Sequence, residues 1–149
     1  MRILLVCLGN ICRSPLAHGS LEHLAKQAGL DWSIDSAGTG NWHIGHAPDS
    51  RAIAVARKNR IDITRQRARQ ITTDDFESYD LILAMDKQNY QDILKLTKSE
   101  AHQQKVKLFL EEEDIQDPYF DDKLFDSVFD KIYNRSKALI KEYSDDPRK

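Results

Sequence analysis

Five residues separate Cys7 from Arg13 near the start of the chain, in VCLGNICRSPLA. The thiolate is the nucleophilic form of cysteine. The guanidinium is a permanent cation whose planar fork suits two oxygens of a tetrahedral anion. Gly9 lies between them, and Ser14-Pro15 follows at once. A glycine-containing loop of this kind turns its backbone N–H groups inward as an anion nest. A helix that starts at its end adds further free N–H groups and a positive dipole end. The expected site holds a doubly charged tetrahedral anion, and its field favours the thiolate form of Cys7. A thiolate beneath a bound phosphoryl group is placed for attack at phosphorus.

The elements that would hold this loop are legible. Residues 2–6, RILLV, form a continuous apolar run suited to a strand buried on both faces. Ser14 and Pro15 read as N-cap and first helical residue. Ala17, Leu21, Leu24 and Ala28 then recur at helical spacing up to Gly29. Further strands are expected at 32–36, 79–85 and 105–109. Helices are expected after Asp49-Ser50, from Asp86 through Leu94, and from about Leu124 to Tyr143. Alternating strands and helices predict a parallel sheet covered on both sides. The expected fold is α/β and doubly wound: three layers, a four-stranded parallel sheet in order 2-1-3-4, and one domain over residues 1–149. In such sheets ligands bind at the carboxyl ends of the strands, where Cys7, Asp86 and the segment EEEDIQDPYF would share one rim.

Composition narrows the alternatives. The 22 basic and 24 acidic residues nearly cancel, so no global charge favours nucleic acid or an anionic membrane. Arg60, Arg65, Arg67 and Arg69 form a local basic stretch whose simplest reading is a solvated face. Arg2 before Ile3-Leu4-Leu5-Val6 imitates a secretory signal, but the apolar run is too short and Asn10 and Arg13 interrupt it. Two cysteines do not make a disulfide scaffold, and with no third they make no metal site. The histidines show no ligand spacing: His18 and His23 read as solvent-facing helix residues, and His43 and His46 could line a pocket, with surface loop the simpler reading. No metal and no cofactor are expected. A cytoplasmic protein with reduced thiols is expected, a monomer or weak homodimer.

VCLGNICRSPLA resembles the phosphate-binding loop of the low-molecular-weight protein tyrosine phosphatases. DSAGTGNWHIGHAPDSRA (35–52), ARQIT (68–72), DLILAMDKQN (80–89) and DPYF (117–120) follow in that family's order and spacing. The resemblance implies phosphotyrosine-containing proteins as partners and a role for each matched residue. Cys7 is the nucleophile that becomes a phosphocysteine, and Arg13 binds the phosphoryl oxygens along with the loop residues Leu8, Gly9, Ile11 and Cys12. Ser14 donates to the Cys7 sulfur, Asn10 holds the loop's backbone, and Ser36 supports it. Asp117 is the general acid, and Trp42 and Tyr119 wall the substrate slot. Like charges around Asp117, from Glu111 to Asp114 and at Asp121 and Asp122, would favour its protonated form. The same acidic run also reads as a solvated loop. Asp86 is expected to be structural.

Some positions carry finer information. The resemblance implies a redox pair, Cys7 with Cys12, that protects the nucleophile; a small loop-packing Cys12 is the alternative. Ile11 stands where a related phosphoarginine-specific branch has threonine, and its bulk favours a flat aryl ring. Gln66 stands where many members have a histidine that contacts the loop asparagine; its amide could donate to Asn10 instead. Phe120 replaces the second of paired tyrosines. Two other functions compete for these residues. Arsenate reductase on the same fold needs cysteines beyond Cys12, and there are none. A non-catalytic phosphoprotein-binding module would have no need of Cys7, Arg13, Ser14 and Asp117 together.

Overall fold

The computed structural model describes residues 1–144; residues 145–149 of the expected domain lie outside it. Its sheet has four parallel strands in the order β2-β1-β3-β4. The strands are β1 (Arg2–Cys7), β2 (Ser33–Gly38), β3 (Leu81–Ala84) and β4 (Val106–Leu108). The helices are α1 (Arg13–Gln27), α2 (Ser50–Lys58), α3 (Asp75–Ser78), α4 (Lys87–Leu94), α5 (Glu100–Gln104) and α6 (Phe125–Tyr143), the last preceded by a 3₁₀ turn at Asp122–Leu124.

Side-chain alternation divides β1 between two cores. Ile3, Leu5 and Cys7 face a core built from α1, α2 and α6, with Leu16, Leu21, Val55, Phe129 and Ile132 among its members. Leu4 and Val6 face the other core, which holds Phe76 of α3 and Ile93 of α4. Both faces are therefore covered, which explains why β1 reads as an unbroken apolar run rather than an alternating one. Leu4, Leu5 and Val6 have no exposed surface. Burying each such side chain contributes about 1.5–3 kcal/mol. Among the described residues no helix is long and apolar enough to cross a membrane.

The observed elements correct several boundaries. Ser14 is not the N-cap of α1. The helix begins at Arg13, Cys12 takes the cap position, and the Ser14 hydroxyl is turned inward to other partners. β2 runs to Gly38 because its last residues stay paired with Val6 and Cys7. The short helices α3 and α5 carry too few residues to show a helical period. Asp49 and Asp86 do cap α2 and α4, accepting from the backbone N–H of Arg51 and Asn89.

The chain order places a switch point between β1 and β3. The loop after Cys7 and the turn at Met85-Asp86 open side by side there. Gly38, at the end of β2, closes one flank. A Cβ on Gly38 would lie 2.7 Å from the Leu8 carbonyl oxygen and 3.2 Å from Asn10. That contact is with backbone, so it cannot relax by a rotamer change. Gly38→Ala is expected to lower stability by about 1–3 kcal/mol, the usual cost of overpacking. Urea unfolding measures this; an unchanged midpoint would mean that the loop yields freely to β2.

Candidate active site

Residues 8–12 connect β1 to α1, and three carbonyls along this turn are held from outside. The Cys7, Leu8 and Ile11 oxygens accept from the N–H groups of Thr39, Gly40 and Asp49 at 2.9, 2.9 and 2.8 Å. The N–H groups of Gly9, Asn10, Ile11, Cys12 and Arg13 meet no protein acceptor among the described residues. A loop with these carbonyls engaged and its N–H groups free is a donor cradle.

Asn10 makes the turn. Its φ is 57°, in the left-handed region that side chains other than glycine rarely enter. Its amide is fully used: Nδ2 donates to Ser14 Oγ at 2.8 Å and Ser36 Oγ at 3.0 Å, and Oδ1 accepts from the Arg69 N–H at 3.0 Å. Gln66, the expected partner of Asn10, does not reach it. Its amide donates to the Pro15 carbonyl instead, at 3.2 Å. Arg69 is not part of a solvated basic face either; it is half-buried and pairs with Asp75 and Asp35.

The Cys7 sulfur sits 3.0 Å from Ser14 Oγ and 3.5 Å from the Ser14 N–H, and is almost wholly buried. Arg13 is buried as well. Its Nη1 donates to Asp86 Oδ2 at 2.6 Å and to the Ile115 carbonyl at 3.0 Å, while Nη2 lies 3.7 Å from Asp117 Oδ2. Burial disfavours the Arg13 charge, but the Cys7 sulfur, Asp86 and Asp117 outweigh it and hold its pKa above the ordinary arginine value. Asp86 therefore does more than cap α4.

Asp117 lies across the mouth and accepts from the Tyr119 N–H at 3.1 Å. Its acidic neighbours are exposed, and most have partners of their own: Glu113 with Lys131, Glu111 with Arg135, Asp122 with Arg51, and Asp114 at the Lys87 N–H. The charged group that meets Asp117 is Arg13, not one of those acids. Arg51 ties this segment to α2. It holds Asp49 and Asp122 and lies over the rings of Tyr119 and Phe125, 5.4 and 4.7 Å from their centres. Its hydrogen bond also holds the Asp49 carboxyl below the usual carboxylate range.

Cys7, Leu8, Gly9, Ile11, Cys12, Arg13, Trp42, Asp117 and Tyr119 line one cavity of about 180 Å³, joined by His43 and Phe120. Asn10, Ser14 and Ser36 stand behind its floor. Trp42 is 66% exposed and Phe120 92% exposed, so the rim is aromatic and open. Of the two loop histidines that could line a pocket, His43 does so, beside Gly9. His18, read as solvent-facing, is buried, because α1 presses that face toward Ser36. Cys12 is a buried free thiol.

Fold and cavity together define a doubly wound α/β protein with an anion cradle at its switch point. The sequence profile of the low molecular weight phosphotyrosine protein phosphatases matches residues 2–149. A phosphatase of that description from Schizosaccharomyces pombe is 41% identical over 129 residues, 80% of this chain and 81% of the relative. The crystal structure of a protein tyrosine phosphatase from Entamoeba histolytica, with Hepes in its active site, superposes with a TM-score of 0.91 at 31% identity, covering 97% of each chain. An arginine phosphatase, solved as a mutant with a phosphorylated active-site serine, superposes with a TM-score of 0.92 at 27% identity over 99% of each chain. The chain belongs to the low molecular weight phosphotyrosine protein phosphatase family.

Burial, with Asp49, Cys7 and Asp117 nearby, pushes the Cys12 thiol well above the ordinary cysteine value. A raised thiol pKa means the protonated, unreactive form persists as pH rises. Mass spectrometry after brief iodoacetamide treatment is expected to find Cys12 unmodified from about pH 6 to about pH 9. Rapid labelling of Cys12 in that range would contradict it.

Proposed function

We propose that this protein is a cytoplasmic phosphatase that hydrolyses phosphotyrosine in proteins, and small aryl phosphates, through a phosphocysteine on Cys7. The observation that carries the reading is the Cys7 sulfur at the floor of a donor cradle, beside Ser14 and Arg13. The aryl ring enters between Trp42 and Tyr119, and Ile11 favours its flat shape. Unengaged N–H groups of the loop and the Nη2 side of Arg13 hold the phosphoryl oxygens. Donors preset around developing charge lower the barrier, since they need no reorganisation during reaction.

Two displacements complete the cycle. The Cys7 thiolate attacks phosphorus; the S–P bond forms as the P–O bond to the ring breaks. Asp117 gives its proton to the departing oxygen, so phenol leaves rather than phenolate. A water oxygen then attacks the phosphocysteine, and the Asp117 carboxylate takes its proton. The S–P bond breaks, its electron pair returns to sulfur, and the Ser14 hydroxyl supports that thiolate. Orthophosphate is released. The protein acts as a monomer or weak homodimer, with no role for nucleic acid or a membrane. Cys12 is available as a redox partner for oxidised Cys7, though its raised pKa makes Cys7, not Cys12, the first sulfur to react.

Steady-state hydrolysis of aryl phosphates tests this. Cys7→Ser is expected to abolish turnover. Asp117→Ala is expected to lower kcat by about 10²- to 10⁴-fold for poor leaving groups and by less for good ones. No turnover by the unaltered protein would leave a phosphoprotein-binding module instead.

The likeness to an arginine phosphatase makes the substrate filter a separate question. Ile11→Thr is expected to raise the ratio of phosphoarginine to aryl phosphate hydrolysis. An unchanged ratio would remove Ile11 as the filter.

A further inference from the structure

His18 is buried on the inner face of α1, one turn beyond Ser14. Nothing in the two displacements uses it, yet a continuous line of polar contacts joins it to the reacting sulfur. His18 Nδ1 lies 3.3 Å from Ser36 Oγ, Ser36 Oγ 3.0 Å from Asn10 Nδ2, Asn10 Nδ2 2.8 Å from Ser14 Oγ, and Ser14 Oγ 3.0 Å from Cys7 Sγ.

Counting hydrogens gives the line a direction. The Asn10 amide nitrogen has two, one for each serine oxygen. Each serine hydroxyl therefore accepts from Asn10 and has its own hydrogen to place. Ser14 has two acceptors in reach, the Cys7 sulfur at 3.0 Å and the Ala37 carbonyl at 3.4 Å, and with Cys7 as a thiolate the shorter contact, to the charged sulfur, takes its hydrogen. Among the described residues Ser36 has one other hydrogen-bond partner, the His18 Nδ1. Accepting that hydrogen requires Nδ1 to be bare and puts the ring proton on Nε2, where Glu22 Oε2 accepts at 3.3 Å. With a proton on Nδ1, in the other tautomer or in the doubly protonated ring, Ser36 would face two donors and its own hydrogen would have no acceptor among the described residues. The Asn10 amide nitrogen would lose one of its two acceptors, and the hydrogen it gives to Ser14 would be less firmly held in direction.

We propose that His18 is a positioning residue for catalysis: by accepting the Ser36 hydrogen at Nδ1, it fixes the direction of the Ser36–Asn10–Ser14 line and keeps the Ser14 hydroxyl aimed at the Cys7 sulfur. This rests on the phosphatase reading for its catalytic consequence, but not for its effect on the sulfur.

The test combines variants of His18 and Ser36 with two readouts. His18→Leu removes the acceptor and keeps bulk; His18→Asn restores an acceptor near Nδ1. His18→Leu is expected to slow Cys7 carboxymethylation by iodoacetate at pH 6 and to lower kcat for an aryl phosphate, each roughly tenfold, the scale of one hydrogen bond to a charged group. KM is expected to move little, and His18→Asn to recover most of both losses. Ser36→Ala is expected to match His18→Leu, and the double variant to be no worse than either, because both cut one line. Ser36→Ala also keeps the test decisive if His18→Leu does not fold. Additive losses, no recovery in His18→Asn, or a ring proton on Nδ1 by ¹⁵N NMR would overturn the proposal. An unaltered protein that does not hydrolyse aryl phosphates, with the alkylation differences intact, would defeat the phosphatase reading alone.

Discussion

The site depends on one backbone turn. Asn10 occupies a left-handed conformation that costs about 1–2 kcal/mol for a residue with a side chain. Its three amide hydrogen bonds, at about 0.5–1.5 kcal/mol each, more than offset that. The turn lets Thr39, Gly40 and Asp49 take the loop's carbonyls from outside, which leaves the N–H groups for a ligand. Glycine could make the same turn without strain, but it would leave Ser14 and Ser36 unconnected. The residue type here is set by its side-chain bonds rather than by conformational ease.

Arg13 shows the same logic with charge. A buried guanidinium without a partner would be costly. Asp86 supplies the partner at one nitrogen and, with its other oxygen, caps α4. The cation is thus oriented from the far wall of the switch point, with Nη2 toward Asp117 and the residue lining the cavity. The end of β3 and the start of α1 are joined through this pair, so sheet geometry and site geometry are not independent.

Much of this was legible in the sequence, for reasons that differ by element. β1 was plain because burial on both faces leaves a continuous apolar run. The loop was plain because cysteine, glycine, arginine and a serine-proline pair seldom serve a single packing purpose. Matched motifs further along the chain brought Asp117, Trp42 and Tyr119 to the same cavity. What stayed hidden were contacts made across the fold. Ser14 looks like a helix cap in sequence, and only the approach of Cys7 and Asn10 turns its hydroxyl inward. His18 has the helical spacing of a surface residue until β2 packs beside it. Gln66 lies close enough in sequence to the supporting segment to suggest a bond to Asn10, but its amide takes the nearer Pro15 carbonyl. Arg69 and Asp75 are near in sequence, yet nothing local says that Asp35 completes the pair.

The tie through Asp49 and Arg51 has a thermodynamic consequence. Asp49 holds the Ile11 carbonyl with its backbone and Arg51 with its carboxylate, and Arg51 in turn reaches Asp122 and the Tyr119 ring. Cradle floor and mouth are therefore braced to a common strut before any guest arrives. Little chain entropy remains to be surrendered on filling, so occupancy is governed by exchange of solvent for charge rather than by ordering of the host.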